Sequence, residues 1–208
     1  MRATIIALLT IVFAFSSVNA GIYLREESGV AGLMLGNCLS RLDDQDGDGT
    51  TEILVGAPGY QGAGADAGGV LLWFGGNQFS LTADQIWIGS PHERFGHAVS
   101  RIGDVNGDGV GDWAVGAPMA NNAGAEAGRV YIYYGDDPLP TDWDLVLEGP
   151  MPGIHFGWSI AALGDFDGDG RDDFAVGAPL ANSPSIEGGA AYVFYGRNGG
   201  PNTTPDLS

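Results

Sequence analysis

The sequence predicts an all-β fold made of three repeated units. Three observations support this prediction. A set of landmarks recurs every 60 or 61 residues, short apolar or alternating runs separate glycine-rich turns, and no segment carries the helical period over a useful length. The 208 residues include 36 glycines and 11 prolines, as expected for a chain with many turns.

Four landmarks define the repeat and keep their spacing through three copies. A Phe-Gly pair at Phe95 and Phe156, weakened to Leu35-Gly36 in the first copy, precedes an acidic loop. A Gly-Ala-Pro turn follows each loop, and a further glycine then opens an aromatic-rich run. The landmarks fall at Gly36, Gly96 and Gly157, then Asp44, Asp104 and Asp165, then Gly56, Gly116 and Gly177, and finally Gly68, Gly128 and Gly189.

Each unit accommodates four short strands. The second strand ends at Val-Gly-Ala-Pro, because proline donates no backbone hydrogen bond to a sheet. Four antiparallel strands in about 60 residues are typical of a β-propeller blade, whereas kelch and WD blades have shorter periods. The sequence therefore predicts three four-stranded antiparallel blades, belonging to a larger or oligomeric ring. Predicted strands include 38–42, 98–102 and 159–163, then 70–75, 130–135 and 191–196, and then 85–88 and 144–147.

The N-terminus reads as a secretory signal peptide. Arg2 is followed by the apolar stretch 5–15 and by the small residues Val18-Asn19-Ala20, so we expect cleavage after Ala20. The apolar stretch is shorter than the roughly 20 residues that a membrane-spanning helix needs. We therefore expect a mature chain that does not insert into membranes and is secreted or at the cell surface, or in the periplasm or on the outer surface of a bacterium.

The predicted organisation follows from the repeat and the signal peptide. The ranges are 1–20 for the signal peptide, 21–197 for three blades at approximately 22–76, 77–136 and 137–197, and 198–208 for a polar tail or the start of a further blade.

Composition and charge exclude several classes of protein. The chain has 26 acidic and 8 basic residues and a formal charge of −18, so a nucleic acid or an anionic membrane surface would repel it. The single cysteine, Cys38, cannot form an internal disulfide. The equivalent positions of the other copies hold Ala98 and Ser159, which predicts that Cys38 is a small, buried packing residue. Something other than disulfides must stabilise the fold.

The acidic residues concentrate in three loops of the same design. Oxygen donors occupy relative positions 1, 3, 5 and 9, and glycines at positions 4 and 6 allow a tight turn. The backbone carbonyl at position 7 is the expected fifth protein donor. The predicted ligands are Asp44, Asp46, Asp48, Thr50 and Glu52 in the first loop, Asp104, Asn106, Asp108, Val110 and Asp112 in the second, and Asp165, Asp167, Asp169, Arg171 and Asp173 in the third.

These loops predict three calcium sites. Several carboxylates within nine residues repel one another unless a hard divalent cation binds them, and ligation by oxygen alone favours calcium over zinc or copper. The same opening motif begins an EF-hand, but an EF-hand needs a bidentate glutamate at position 12 and flanking helices. Position 12 is Val55, Val115 or Val176, inside a predicted strand, so the EF-hand is rejected.

The sequence resembles the FG-GAP repeats of integrin α-subunit propellers and related secreted proteins. The resemblance rests on Phe95-Gly96, Phe156-Gly157, the three acidic loops, the Gly-Ala-Pro turns and the aromatic third strands, and it covers nearly all of 22–196. It implies a propeller, usually of seven blades, with calcium in the turn between strands one and two and a role in adhesion or ligand recognition. The chain departs from the pattern in Leu35 and in having three blades.

The expected function is that of a secreted or cell-surface, calcium-binding propeller segment that mediates adhesion or binds a macromolecular ligand, with calcium structural. Two alternatives stay open: a purely structural repeat spacer, and a non-catalytic propeller module of a larger secreted enzyme. We expect no enzymatic activity, since His92, His97 and His155 are not paired with a Ser or Cys nucleophile in a recognisable motif and read as loop or packing residues.

The topology of a blade predicts where a partner binds. Turns alternate between the two faces, so the metal loops share one face with the connections between strands three and four. A protein or glycan ligand is expected on the opposite face, which carries the loops 59–67, 119–127 and 180–188 and the connections 90–94 and 150–155.

The ends of the repeat predict an incomplete ring. Residues 22–25 match the fourth strands, whereas the chain stops at Ser208 as the next fourth strand begins, and a three-blade arc should expose two apolar faces. We expect either a C-terminally truncated fragment of a longer propeller or a homodimer, a homo-oligomer whose six blades close by exchanging N-terminal strands. Light scattering distinguishes the two, because aggregation supports truncation and a clean dimer supports strand exchange. A well-behaved monomer with cooperative unfolding would contradict both.

Overall fold

A computed structural model describes residues 32–76, 82–121, 125–135, 138–183 and 186–208. Within these ranges the regular structure consists of β-strands, and no helix is long and apolar enough to cross a membrane. The predicted signal peptide and the predicted strand at 22–25 lie outside the described residues.

The strands form three antiparallel sheets in sequence order, which confirms the predicted all-β blades. The first sheet contains β1 (Cys38–Arg41), β2 (Ile53–Ala57), β3 (Gly69–Trp73) and β4 (Gln85–Ile88). The second contains β5 (Ala98–Gly103), β6 (Asp112–Ala117), β7 (Arg129–Tyr133) and β8 (Leu145–Glu148). The third contains β9 (Ser159–Gly164), β10 (Asp173–Ala178) and β13 (Ala190–Phe194), while β11 (Asn182–Ser183) and β12 (Ile186–Glu187) pair separately within the expected loop 180–188.

The C-terminal segment occupies the fourth-strand position of the third sheet. Leu207 forms an antiparallel bridge with Val193, and the backbone N–H of Asp206 donates to the Val193 carbonyl at 2.8 Å. The Asp206 carboxylate accepts the Tyr195 N–H at 2.9 Å. Asp84 and Asp144 make the same pair of hydrogen bonds just before β4 and β8. The sheets are therefore offset from the sequence units, since β4 and β8 complete the sheets of the preceding strands.

Glycines hold neighbouring sheets close together. Gly116 of the second Gly-Ala-Pro turn packs on the glycine of the next Phe-Gly pair, and a Cβ on Gly116 would lie 2.0 Å from the Gly157 carbonyl oxygen. Gly157 in turn donates its N–H to the Gly177 carbonyl at 3.2 Å. The Phe-Gly and Gly-Ala-Pro landmarks are thus two sides of one contact between blades.

Apolar layers fill the spaces between sheets. Leu54 and Leu72 of the first sheet pack against Trp113 and Tyr133 of the second, whose rings stack with centroids 5.4 Å apart. Between the second and third sheets, Ile132 is in a layer that includes Phe174, Phe194 and Phe156. Most aromatic residues of the third strands therefore pack the core, as the sequence analysis expected for them.

The two end faces of the array differ. The outward residues Val55, Leu71 and Trp73 of the first sheet are at most 3% exposed, with Leu33, Leu35 and Tyr60 packed against them. On the third sheet, Leu163 and the adjacent Phe166 are 37% and 59% exposed. The expectation of two exposed end faces is therefore met only in part at the first sheet: Leu39, beside Val55, is 60% exposed, but residues before β1 and after β2 cover Val55, Leu71 and Trp73.

The residue after each Phe-Gly position links one blade to the next. The Asn37 side chain donates to the main-chain carbonyl of His97 at 2.9 Å. Nδ1 of His97 lies 3.2 Å from the main-chain carbonyl oxygen of Trp158, and the two rings are in contact with centroids 4.4 Å apart. Repeat-equivalent residues therefore form a chain of contacts across the three blades.

His97 should make the fold sensitive to acid. Its pKa is lowered chiefly by burial and further by the charges of Arg94 and His155. The unfolded chain then binds a proton near pH 6.5 that the folded state binds only at lower pH, so this contribution to stability is full above pH 6.5 and is lost below it. From pH 7.5 to 5.5, the melting temperature should fall more for the unaltered protein than for His97→Asn. Asparagine is the matched choice because Asn37 fills this position in the first copy, and an equal fall in both proteins would contradict the assignment.

Candidate metal centres

The three acidic loops are the turns between the first and second strands of each sheet. The backbone turns sharply at positions 4 and 6, where all six glycines have φ between 75° and 93°. This left-handed region suits glycine because a Cβ would be strained there. The loops therefore have the tight curvature that the sequence predicted.

The aspartate at position 1 organises each loop. In the first loop, Asp44 accepts the N–H of Gly47 on Oδ1 and that of Gly49 on Oδ2, both at 2.8 Å. Asp104 and Asp165 accept the equivalent pair of amides in the other loops at 2.7 to 3.0 Å. The repeated bonds explain why three different loop sequences share one shape.

The loops bring carboxylates together at two of the three turns. Oxygen atoms of Asp44, Asp46 and Asp48 lie within 4.8 Å of one another, and so do those of Asp165, Asp167 and Asp173. The second loop has Asn106 at position 3, whose Nδ2 donates to Asp108 Oδ2 at 2.7 Å. The donors are carboxylate and amide oxygens, which is the chemistry that calcium prefers.

The acidic residue at position 9 is buried in every loop. Glu52, Asp112 and Asp173 are 2%, 0% and 0% exposed, and each accepts the backbone N–H of position 2. Asp112 and Asp173 also accept the N–H of Gly135 and Gly196 after the third strand. Position 9 thus ties the loop to its own sheet, a structural role that the sequence pattern alone did not reveal.

The electrostatics of the buried carboxylates favour a bound cation. Burial, together with the nearby charges of Asp46 and Asp44, raises the pKa of Glu52 to about 7. Burial and the charges of Asp108 and Asp104 raise the pKa of Asp112 to about 7. Oε1 of Glu52 is buried and has no hydrogen-bond partner among the described residues. A divalent cation would reverse the cost of ionising these groups, so the residues present fit calcium.

The residues at position 7 support the loop through their backbone. The N–H groups of Thr50, Val110 and Arg171 donate to the position 5 carboxylate at 2.8 to 3.0 Å. Their expected role as carbonyl donors to a cation stays a prediction. Val55, Val115 and Val176 lie within β2, β6 and β10, so position 12 supplies no ligand of the EF-hand type.

Comparison with known proteins agrees with the repeat geometry. The FG-GAP repeat family matches residues 95–133 and 156–194, which contain the second and third Phe-Gly pairs, acidic loops and aromatic strands. The chain contains FG-GAP repeats. It is similar to integrin α subunits, and its first copy, with Leu35, falls outside the matched ranges.

Relatives of two kinds match parts of this chain. Human phosphatidylinositol-glycan-specific phospholipase D is 38% identical over 66% of this chain and 18% of its own length. Integrin alpha-PS3 of Drosophila melanogaster is 38% identical over 68% of this chain and 13% of its own length. Integrin alpha-5 of Xenopus laevis is 39% identical over 53% of this chain and 11% of its own length. The chain matches between 11% and 18% of the length of such relatives.

The second FG-GAP loop also contacts the third blade. The N–H of Asp104 donates to Asp172 Oδ2 at 2.9 Å, while Arg197 and Gly199 donate their N–H groups to the carbonyls of Val105 and Asn106 at 2.9 and 3.0 Å. Sequence reasoning did not identify Asp172 as important. Its place at position 8, next to the buried Asp173, was the available signal.

The opposite face carries the remaining FG-GAP loops, in the arrangement that an up-and-down blade requires. His92 and Arg94 donate their N–H groups to the carbonyls of Ala65 and Asp66 at 2.8 and 2.9 Å. A cavity of about 360 Å³ lies between these loops and the next blade. Its lining consists of Asp66, His92, Arg94, Met119, Asn121, Ala125 and Glu126.

Proposed function

We propose that this chain is a calcium-stabilised propeller segment, secreted or at the cell surface, that binds a macromolecular partner through the face opposite its metal loops. The observation that carries the calcium assignment is the cluster of Asp44, Asp46 and Asp48 oxygens within 4.8 Å, in a loop design found three times. The buried carboxylates of Glu52 and Asp112 at position 9 support it, because burial and, to a smaller extent, the neighbouring aspartates raise their pKa values, a cost of ionisation that a cation would offset.

Calcium is structural in this proposal. The loops join the first two strands of each blade, and the second loop also contacts the third blade. A bound cation would hold the carboxylates that accept backbone N–H groups in their ionised form, which strengthens those hydrogen bonds. The cation would therefore stabilise both the turn and the contact between neighbouring blades.

The number of bound ions tests the assignment directly. Asp104→Ala and Asp165→Ala each remove the carboxylate that organises one loop, so calorimetric titration with calcium should count three ions in the unaltered protein and two in either variant. Asp84→Ala is the matched control, because Asp84 lies on the same face but caps β4 instead of an acidic loop. A count of three ions in Asp104→Ala would show that the second loop is not a site.

The partner face is supported by the composition of its loops. The cavity there presents the carboxylates of Asp66 and Glu126 and the guanidinium of Arg94. Arg94 and Asp66 form an ion pair, with Nη2 and Oδ2 3.8 Å apart. Arginine is enriched at protein–protein interfaces, and the rims of such interfaces are polar. The expectation that this face, and not the metal face, recognises a partner remains part of the proposal.

A binding screen tests the partner face. The purified protein, immobilised through its N-terminus, is offered to arrays of extracellular proteins and glycans. Binding should be lost in Asp66→Ala with Glu126→Ala, and kept in Asp206→Ala on the metal face. Loss of binding only in the metal-face variant would place recognition on the wrong side for this proposal.

A second candidate function is a non-catalytic propeller module of a larger secreted enzyme. The similarity to phosphatidylinositol-glycan-specific phospholipase D favours it, because the matched region is 18% of that protein. The full-length transcript distinguishes the candidates: an adjoining catalytic domain supports the module. A purely structural spacer is the third reading, and a partner screen without any specific binding supports that one.

A further inference from the structure

The third acidic loop differs from the other two in the residue at position 7. The first and second loops have Thr50 and Val110 there, whereas the third has Arg171, which places a permanent positive charge inside the set of expected cation ligands. The Arg171 side chain is 24% exposed, so it lies largely against the protein instead of extending into water.

Arg171 binds the carboxylate at position 5 of its own loop. Its Nη1 lies 3.0 Å from Asp169 Oδ2, and its backbone N–H donates to Asp169 Oδ1 at 3.0 Å, so both oxygens of Asp169 are engaged. In the first loop, Thr50 donates its N–H and its hydroxyl to the same oxygen, Asp48 Oδ1. Among the described residues, Asp48 Oδ2 accepts no hydrogen bond, whereas Asp169 Oδ2 is bound by the guanidinium.

The carboxylate clusters reflect this difference. The cluster in the first loop consists of positions 1, 3 and 5, which are Asp44, Asp46 and Asp48. The cluster in the third loop consists of positions 1, 3 and 9, and Asp169 at position 5 is not part of it. The absence of Asp169 from the third cluster therefore agrees with its pairing to Arg171.

Other contacts hold Arg171 in place. Its Nη2 donates to Asn198 Oδ1 at 2.6 Å, in the segment after β13. Its Nε lies 3.0 Å from the place where a Cβ would stand on Gly107, so the absence of a side chain at that position of the second loop makes room for the guanidinium. A cation that recruited Asp169 would have to compete with an arginine fixed from several sides.

We propose that Arg171 is a built-in counter-ion that lowers the calcium affinity of the third loop below that of the first loop, which has the same number of carboxylates and no arginine. Calcium affinity in oxygen-ligated loops depends on the charge and rigidity of the ligand set. Arg171 reduces the net charge of four carboxylates by one and repels the incoming cation. This inference rests on the proposed function, since it concerns the same calcium sites.

Calorimetric titration of the purified protein with calcium chloride tests the inference. The site that Asp165→Ala abolishes should be weaker than the site that Asp44→Ala abolishes. Arg171→Thr, which installs the residue of the first loop, should tighten the weaker site about fivefold. Because the repulsion is electrostatic, the gain should shrink when the salt concentration rises from 0.05 to 0.5 M.

Two further variants make the result specific. Arg197→Thr removes the same charge from the same face, but Arg197 pairs with Asp206 and not with a loop ligand, so its affinities should be unchanged. Thr50→Arg, the reciprocal exchange, should weaken a tight site. If Arg171→Thr does not fold, Thr50→Arg and Asp165→Ala still decide the question.

The outcomes separate this inference from the proposed function. If no calcium binds to the unaltered protein, the calcium assignment fails and the inference fails with it. If three ions bind but the site that Asp165→Ala removes is as tight as the site that Asp44→Ala removes, or Arg171→Thr and Arg197→Thr have equal effects, the role of Arg171 is overturned while the calcium assignment stands.

Discussion

Removal of calcium should lower the melting temperature of this protein by many degrees. If each site has the roughly 0.1 to 1 mM dissociation constant of extracellular calcium modules, about 2 mM calcium stabilises the folded state by about 0.7 to 2 kcal/mol per site. Three sites together then contribute about 2 to 5 kcal/mol, which for a chain of this size corresponds to a shift of about 5 to 20 °C. Thermal unfolding followed by circular dichroism in calcium and in excess EDTA measures the shift.

Two controls show whether the effect of EDTA comes from the acidic loops. EDTA that has been saturated with calcium should leave the melting curve unchanged, which excludes an effect of the chelator. Asp104→Ala should lose about a third of the calcium-dependent shift if the loops contribute equally. A melting curve that does not respond to EDTA would refute the metal assignment in all three loops.

The second large effect is expected from the contact between blades. Gly116→Ala places a Cβ 2.0 Å from the Gly157 carbonyl oxygen, so the second and third sheets must separate. Overpacking of a well-packed interior typically costs about 1 to 3 kcal/mol, and here the obstacle is backbone, which cannot rotate away. We expect a loss of about 2 to 3 kcal/mol in the free energy of unfolding, measured by urea denaturation.

Gly177→Ala is the matched control. Gly177 is the repeat equivalent of Gly116, but the nearest atom to its added Cβ is the Ser159 Oγ at 2.3 Å, and a serine side chain can change rotamer. The variant should therefore lose less than about 1 kcal/mol, as is usual when a neighbour can adjust. Equal losses in the two variants would mean that the close approach of the blades is not what requires glycine at this landmark.

Much of the fold could be predicted from the sequence because its landmarks are set by backbone constraints. Proline after each Gly-Ala ends the second strand at Ala57, Ala117 and Ala178. The left-handed backbone at two positions of each acidic loop requires glycine there. Such features depend on a few residues and on short distances along the chain. Strand order and the position of the loops followed from them.

The contacts that the sequence did not predict depend on side chains that meet across the fold. The sequence Asp169-Gly170-Arg171 does not show whether the Arg171 side chain turns toward Asp169 or toward solvent. Its other partner, Asn198, is 27 residues away along the chain. Position 9 was interpreted as a cation ligand, yet the distance from Asp112 to Gly135 shows a second role that only the assembled sheet creates. Coverage of Val55 and Trp73 likewise requires knowing how the residues before β1 pack.

The chain of contacts through Asn37 and His97 has a consequence for how such repeats diverge. In each link the side chain of one repeat meets a main-chain carbonyl of the next, at His97 and at Trp158. A carbonyl is present whatever residue occupies its position, so a substitution in one repeat does not require a compensating substitution in its neighbour. Asparagine, histidine and tryptophan can therefore stand at equivalent places in a single chain, and each copy is free to acquire its own side chain while the spacing of the blades is preserved.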